Sequence, residues 1–470
     1  MKRSLQLLLI SLFFWSGCDL IDGTQVRNPD LTLDVASQQP QSGESWLNGL
    51  NQRLAYVYNN FLVTSELSTD NYVNEGSFFN SSVDNGLFPD TNGDFDDAQK
   101  AIARLREQAV YGLEVILPEH DTEAAGTETE AEMHFYKGWS HLLAGELFTA
   151  LPAEPDGPAV SPDTHFQRAA EAFGRANQMA PSVSYELALA RVYYNLGDRD
   201  QAVTYAQSVL DQSPDFLRLQ EYDAVNNPSN LMQDAVYDRQ SFNDLQPLPR
   251  LDFLDPKYGD LGGTNESPVV LQSAEEAHLI LAEAALSEED LPGAQTALQN
   301  LLDLVEDRPV REFNETEEPR QGASGEAQRP NSSDYRVRAD DSSPWKEGLV
   351  LDRTAITPVP TVSGTSVTES EINSLAAPGF DALELLYLMR QEVFFGEGRR
   401  MADLGVKWPV SETEALNNEN ITQEDRTAHI PSWMPGTYSS INEYTVDGED
   451  ITITVNLNRL IAMERGNRFE

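Results

Sequence analysis

The chain has 470 residues, 40% of them hydrophobic, with 77 acidic side chains against 32 Lys and Arg and a single cysteine. That length and apolar content suffice for a sizeable core, and a helical solenoid can run this long as one body. The net charge of -45 opposes binding to nucleic acid and to anionic lipid surfaces, and one cysteine excludes an internal disulfide framework and any cysteine-built metal site.

The acidic residues run along the whole chain rather than forming a tail. Dispersed acidity suits a protein working in high salt, where self-repulsion is screened within a few ångströms, so a halophilic source is expected. The plainer alternative is an ordinary acidic surface.

Lys2 and Arg3 precede an apolar run over residues 5–15, broken by Gln6 and Ser11; Ser16, Gly17 and Cys18 follow. A short positive region, an apolar run and small residues before a cysteine form a secretory signal that ends in a lipid-attachment site. Residues 1–17 are thus expected to be a signal peptide, and Cys18 the lipidation site. The apolar run is short for a spanning helix. Residues 18–44 then form the anchor and a polar tether with Pro29 and Pro40, and 45–470 a single domain.

Leu47, Leu50, Leu54, Val57 and Phe61 give residues 45–62 one apolar helical face. Residues 94–117 repeat the pattern with Ala98, Ile102, Leu105, Ala109, Leu113 and Ile116, with Asp96 or Asp97 as cap and Pro118 after the end. A further helix is expected over 130–148, and its partner from about residue 163.

Over 183–216, Leu189, Ala190, Tyr193, Gly197, Ala202 and Pro214 fall as in a tetratricopeptide repeat of about 34 residues. Small Ala190 and Ala202 let two antiparallel helices approach, Gly197 permits the turn, and Pro214 ends the second helix. Ala169 and Pro181 each precede their counterparts, Ala202 and Pro214, by 33 residues. Leu281, Ala282, Ala285 and Ala294 take corresponding places over 274–302. Stacked units bury faces that no single unit could. The expected fold is therefore mainly α, with tetratricopeptide-like helical repeats. Two long irregular insertions, 217–268 and 312–344, interrupt them. A small β-hairpin over 441–455 turns at Asp447-Gly448.

Residues 383–404 carry Arg390, Glu397, Gly398, Arg400, Asp403 and Leu404 in an Arg…Glu-Gly-x-Arg-x-x-Asp-Leu arrangement. This resembles the C-terminal signature of the SusD/RagB nutrient-uptake lipoproteins. The runs from Ala188 to Asp198 and from Ala277 to Ala284 look like that family's repeats. Met389 and Val393 stand where the family commonly has Glu, and Lys407-Trp408 replaces its Arg before Trp. The resemblance implies an outer-membrane lipoprotein, lipid-anchored at the cell surface. It would bind an oligosaccharide or peptide nutrient and deliver it to a SusC-like TonB-dependent transporter. The rival reading is a repeat scaffold lipoprotein that binds other envelope proteins.

Candidate chemistry is sparse. Glu397, Arg400 and Asp403 lie three apart, so on one helix they could interlock as a structural ion-pair cluster; a catalytic carboxylate pair is the sharper alternative. The histidines at 120, 134, 141, 165, 278 and 429 form no zinc-type motif. No phosphate loop or Gly-x-Ser-x-Gly elbow occurs, so no enzyme activity and no cofactor are expected. Asp90, Asn92, Asp94 and Asp96 alternate as in the opening of a calcium loop, but Phe95 and Ala101 break the pattern, so the run reads better as a polar turn capping the next helix and no metal is expected. Loop aromatics offer flat apolar faces to sugars or peptides. Trp433, between Pro431 and Pro435, is the first candidate for ligand binding; Trp345, Trp408 and Tyr438 follow.

Overall fold

The computed structural model describes residues 41–74, 78–225, 228–238, 245–255, 257–259, 264–314, 330, 332–352 and 356–470. The expected signal peptide, Cys18 and the tether up to residue 40 lie outside these residues. The first described helix, α1, spans Ser42–Leu67 and so takes in the end of the expected tether.

Helix α2, Gly93–Tyr111, starts earlier than the spacing suggested, because Asn92 rather than Asp96 or Asp97 caps it, accepting from the Asp94 N–H. The α-helix ends at Tyr111, but the chain stays helical past Pro118. The chain widens into a π-helical turn, Gly112–His120, that contains the proline. Helices α3 (Glu128–Leu147) and α4 (Pro162–Met179) follow. They approach closely because Gly138 and Gly145, two turns apart on α3, receive the rings of Phe173 and Phe166. A Cβ at either glycine would sit 2.7 or 2.6 Å from those rings. Burying each phenylalanine contributes roughly 1.5–3 kcal/mol.

The repeat falls where its spacing placed it. Helices α5 (Val183–Leu196) and α6 (Arg199–Gln212) are joined at Gly197, whose φ of 71° is left-handed. Ala190, Ala202 and Ala206 are buried between them. The 217–268 insertion is closed at its base by an antiparallel pair, β1 (Leu217–Gln220) and β2 (Val269–Ser273). Helices α7 (Glu275–Ser287) and α8 (Leu291–Asp307) then resume the stack. Each helix from α1 to α8 packs on the next, and α7 also meets α9 (Phe380–Val393).

The rest is richer in strands. β3 (Val310–Asn314) pairs antiparallel with a later strand at Ile356–Pro360. The expected hairpin forms from Tyr444–Asp447 and Asp450–Ile453. It is also the edge of something larger: Arg336–Arg338 (β4), from the second insertion, lies parallel to Asp450–Ile453, and Lys346–Glu347 (β5) completes a four-stranded sheet. One hydrophobic cluster runs from Leu50 in α1 to Ala462 near the C-terminus. Among the described residues no helix is long and apolar enough to cross a membrane.

Candidate functional site

The Glu-Gly-x-Arg segment is not one continuous helix. Helix α9 ends at Val393, and a second short helix, α10, covers Arg400–Leu404. The turn between them needs Gly396 and Gly398, with φ of 73° and 72°. With the helix broken, Glu397, Arg400 and Asp403 do not interlock. Each reaches a different partner. Lys257 donates to Glu397 at 2.6 Å, Arg400 grips Asp70 through Nε at 2.8 Å and Nη2 at 3.1 Å, and Arg390 donates to Asp403 at 2.6 Å.

These bonds clasp the end of α1. Asp70 also accepts from Arg250 at 2.6 Å. The Gly398 N–H donates to Glu66 at 2.6 Å, and Asn71 donates to the other oxygen at 2.8 Å. Burial opposes ionisation of Asp70, but Arg400 and Arg250 outweigh it and hold the carboxyl below its usual range. Burial wins at Glu66 and pushes it up to about 7. Burial and charge pairing on this scale are those of a structural lock, and no carboxylate here is open to a substrate.

Lys407 and Trp408 extend the lock. The Lys407 ammonium donates to the Gly145 and Glu146 carbonyls, in the last turn of α3. Trp408 is fully buried, stacks on Phe95 at 4.9 Å and gives its indole N–H to Ser68 Oγ at 3.1 Å. Tyr438 is buried too, and its hydroxyl donates to the Ser68 carbonyl at 2.6 Å. Both were expected as ligand-binding aromatics; the structure corrects this, since neither presents a face to solvent.

The acidic run at Asp90–Asp96 is likewise occupied. Arg426 donates to Asp90 at 2.5 Å, Asn92 caps α2, and Asp96 accepts from Lys100 and Ser411. Among the described residues no three His, Cys, Asp or Glu side chains are grouped to hold a metal.

Trp345 is different. It is half-buried, just before β5, with the Arg336 and Arg338 guanidiniums 4.9 and 4.6 Å from its ring centre. Two residues apart on β4, these arginines share one face of the sheet. Pro344 and Lys346, on either side of the tryptophan, line a cavity of about 390 Å³. On its walls Lys346 donates to Glu371 at 2.9 Å, while Glu384 accepts from Arg459 at 3.1 Å and from Asn456 at 2.7 Å. Leu349, Leu385 and Leu388 add apolar surface. Fixed donors and acceptors over an apolar floor suit a polyhydroxylated ligand. Trp433, the first candidate from sequence, packs half-buried against the main core and does not border this cavity. The sequence reading missed Glu384, Asn456 and Arg459. Their one available signal is that they flank the expected hairpin and the α9 motif.

A layered helical stack, with loops and small sheets on the C-terminal half, defines the fold class: this is a SusD-like fold. Three solved structures carry the likeness. A SusD-like carbohydrate binding protein from Bacteroides vulgatus ATCC 8482 superimposes with a TM-score of 0.53 at 13% identity, over 82% of this chain and 97% of that one. A SusD superfamily protein from Bacteroides fragilis gives 0.51 at 14%, over 82% and 99%. A SusD-like protein from Bacteroides fragilis NCTC 9343 gives 0.52 at 11%, over 84% and 98%. A tetratricopeptide repeat family model matches residues 186–215, which are α5 and α6. No curated protein matches the sequence.

Proposed function

We propose that the chain is a surface lipoprotein that binds an oligosaccharide, without turnover, in the cavity beside Trp345. It would be held at the outer membrane by a lipid on Cys18 and pass its ligand to a SusC-like TonB-dependent transporter. The cavity carries this reading: it joins paired charges, amides and an apolar floor, the groups that meet sugar hydroxyls and sugar faces, with its Arg338 wall stacked on the Trp345 ring. The likeness to a carbohydrate-binding protein of the same fold supports it. A peptide is the second ligand class. A scaffold role has one observation in its favour, an open groove of about 900 Å³ over α6, α7 and α8.

Calorimetric titration of the intact chain with a panel of oligosaccharides, with product analysis, tests the ligand. Saturable binding without hydrolysis, weakened at least tenfold in Arg459→Ala, whose guanidinium lines the cavity, is expected; hydrolysis, or no binding to any glycan, would overturn it. Affinity capture from gently solubilised native membrane tests the transporter. Co-purification of a large TonB-dependent barrel in near-equal amount is the expected result, and capture of other envelope proteins without it would favour the scaffold.

A further inference from the structure

Two cavities meet at one ion pair. Lys346, on β5, and Glu371, in the helix Glu369–Ser374, lie 2.9 Å apart. Both border the cavity beside Trp345, and both border a second, open cavity of about 400 Å³. Leu349 and Ser366 are common to the two as well. Beyond these four, the second cavity is lined by Phe253, Glu347, Gly348, Thr365 and Thr368.

The bridge is fixed at both ends, yet it can be reached. Glu371 accepts from the Thr368 N–H and hydroxyl, each at 2.9 Å. Lys346 also donates to the Ser366 carbonyl at 2.9 Å, and the Ser366 hydroxyl donates to buried Glu392 at 2.6 Å. The two side chains of the pair nevertheless stay 23% and 33% exposed. So open a pair contributes little to stability. What it supplies is position. An ammonium that donates and a carboxylate that accepts stand side by side, the two partners that a sugar hydroxyl can use. Either cavity alone, at about 390 and about 400 Å³, has the size of a small-molecule site, and Phe253 and Leu349 give the second its apolar surface.

We infer that the two cavities form one extended cleft, and that its ligand is an oligosaccharide long enough to lie across the Lys346–Glu371 bridge with sugar units on both sides. The inference rests on the reading of the chain as a glycan binder and deepens it: the ligand is a chain bound through several consecutive units, not a mono- or disaccharide. Units in the second cavity are tied to those in the first, so their binding is intramolecular and adds affinity through effective concentration.

The test is calorimetric titration of the intact chain with malto-, cello-, xylo- and manno-oligosaccharides, each from the disaccharide to the hexasaccharide. In at least one series the hexasaccharide should bind at least tenfold more tightly than the disaccharide. Glu347→Trp fills the second cavity from an exposed position that the first does not share. It should melt like the parent and bind the hexasaccharide at least tenfold more weakly, with less than a threefold loss for the disaccharide. A gain with length below tenfold in every series that binds would overturn the inference and leave the proposed function standing. So would an unchanged or raised hexasaccharide affinity in Glu347→Trp, or an equal loss for both lengths. Amide hydrogen exchange of the parent decides the matter without the variant: the hexasaccharide, and not the disaccharide, should slow exchange over 347–349 and 365–368. The same pattern with both sugars would overturn the extended cleft. If no series binds the parent, the inference fails together with the glycan reading.

Discussion

The clasp at the end of α1 and the cavity beside Trp345 use the same side chains in opposite ways. In the clasp, the Arg400 and Asp70 side chains are 2% and 0% exposed. In the cavity, Arg459 and Glu384 are 29% and 19% exposed. A buried pair cannot lose one member without stranding the other, whereas a half-exposed pair exchanges partners with water or ligand at little cost. The chain has 32 cations for 77 acids. Those in the clasp hold distant segments together, and those in the cavity form half-exposed pairs with Glu371 and Glu384.

The largest effect should come from breaking the clasp. Asp70→Asn leaves Arg250 and Arg400 facing each other without a counter-charge, and should lower unfolding stability by roughly 3–5 kcal/mol. Urea unfolding measures it; a change below about 1 kcal/mol would mean that the clasp is not the lock described. Gly398→Ala comes next. The residue has a φ of 72°, and a Cβ there would lie 2.6 Å from the Phe61 ring, so a loss of about 1–3 kcal/mol is expected in the same assay.

A third effect lies outside both regions and separates burial from pairing. His165 Nε2 meets the Leu151 carbonyl at 3.0 Å, and its Nδ1 meets His141 Nδ1 at 3.0 Å. A carbonyl only accepts, so Nε2 carries the His165 proton, and His141 must donate between the two Nδ1 atoms. Burial pushes His165 down to about 4 and His141 to about 2. The unfolded imidazoles titrate near pH 6.5, so below that pH the unfolded chain takes up protons that the folded chain refuses. This contribution is whole above about pH 6.5 and is lost as pH falls towards 4. Glu66, raised to about 7, acts in the opposite sense over part of the same range. The readout is therefore the difference in pH slope between the parent and His141→Gln/His165→Gln, which should be flatter from pH 6.5 to 4.5. Equal slopes would contradict the assignment.

The smallest effect on stability belongs to the cavity. Lys346→Gln breaks a pair whose side chains are 23% and 33% exposed and should change unfolding stability by less than about 1 kcal/mol, while weakening oligosaccharide binding several-fold. A large loss of stability with unchanged binding would put Lys346 with the clasp.

Much of the helical stack is legible in the chain because its signals are local. Small residues at repeat spacing, Gly197 and the apolar faces place α1 and α3 to α8 within a few residues. The clasp is not legible, since Arg400 and Asp70 are 330 positions apart and no periodicity links them. Gly396 and Gly398 were visible signs of a break, yet the family signature read through them as helix. Trp408 and Trp345 both look like loop aromatics. Only the tertiary structure separates the one stacked on Phe95 from the one held between Arg336 and Arg338. The four-stranded sheet escaped notice for a related reason: its inner strand, Arg336–Arg338, sits in a polar insertion, and its partner is more than a hundred residues away.

The most direct test of the central claim is amide hydrogen exchange of the intact chain, with and without a saturating oligosaccharide found by the titration. The account predicts slowed exchange in 336–347, 366–388 and 456–459, with the clasp at 66–71 and 397–404 unchanged. Protection confined to the helical stack, with none around Trp345, would contradict it.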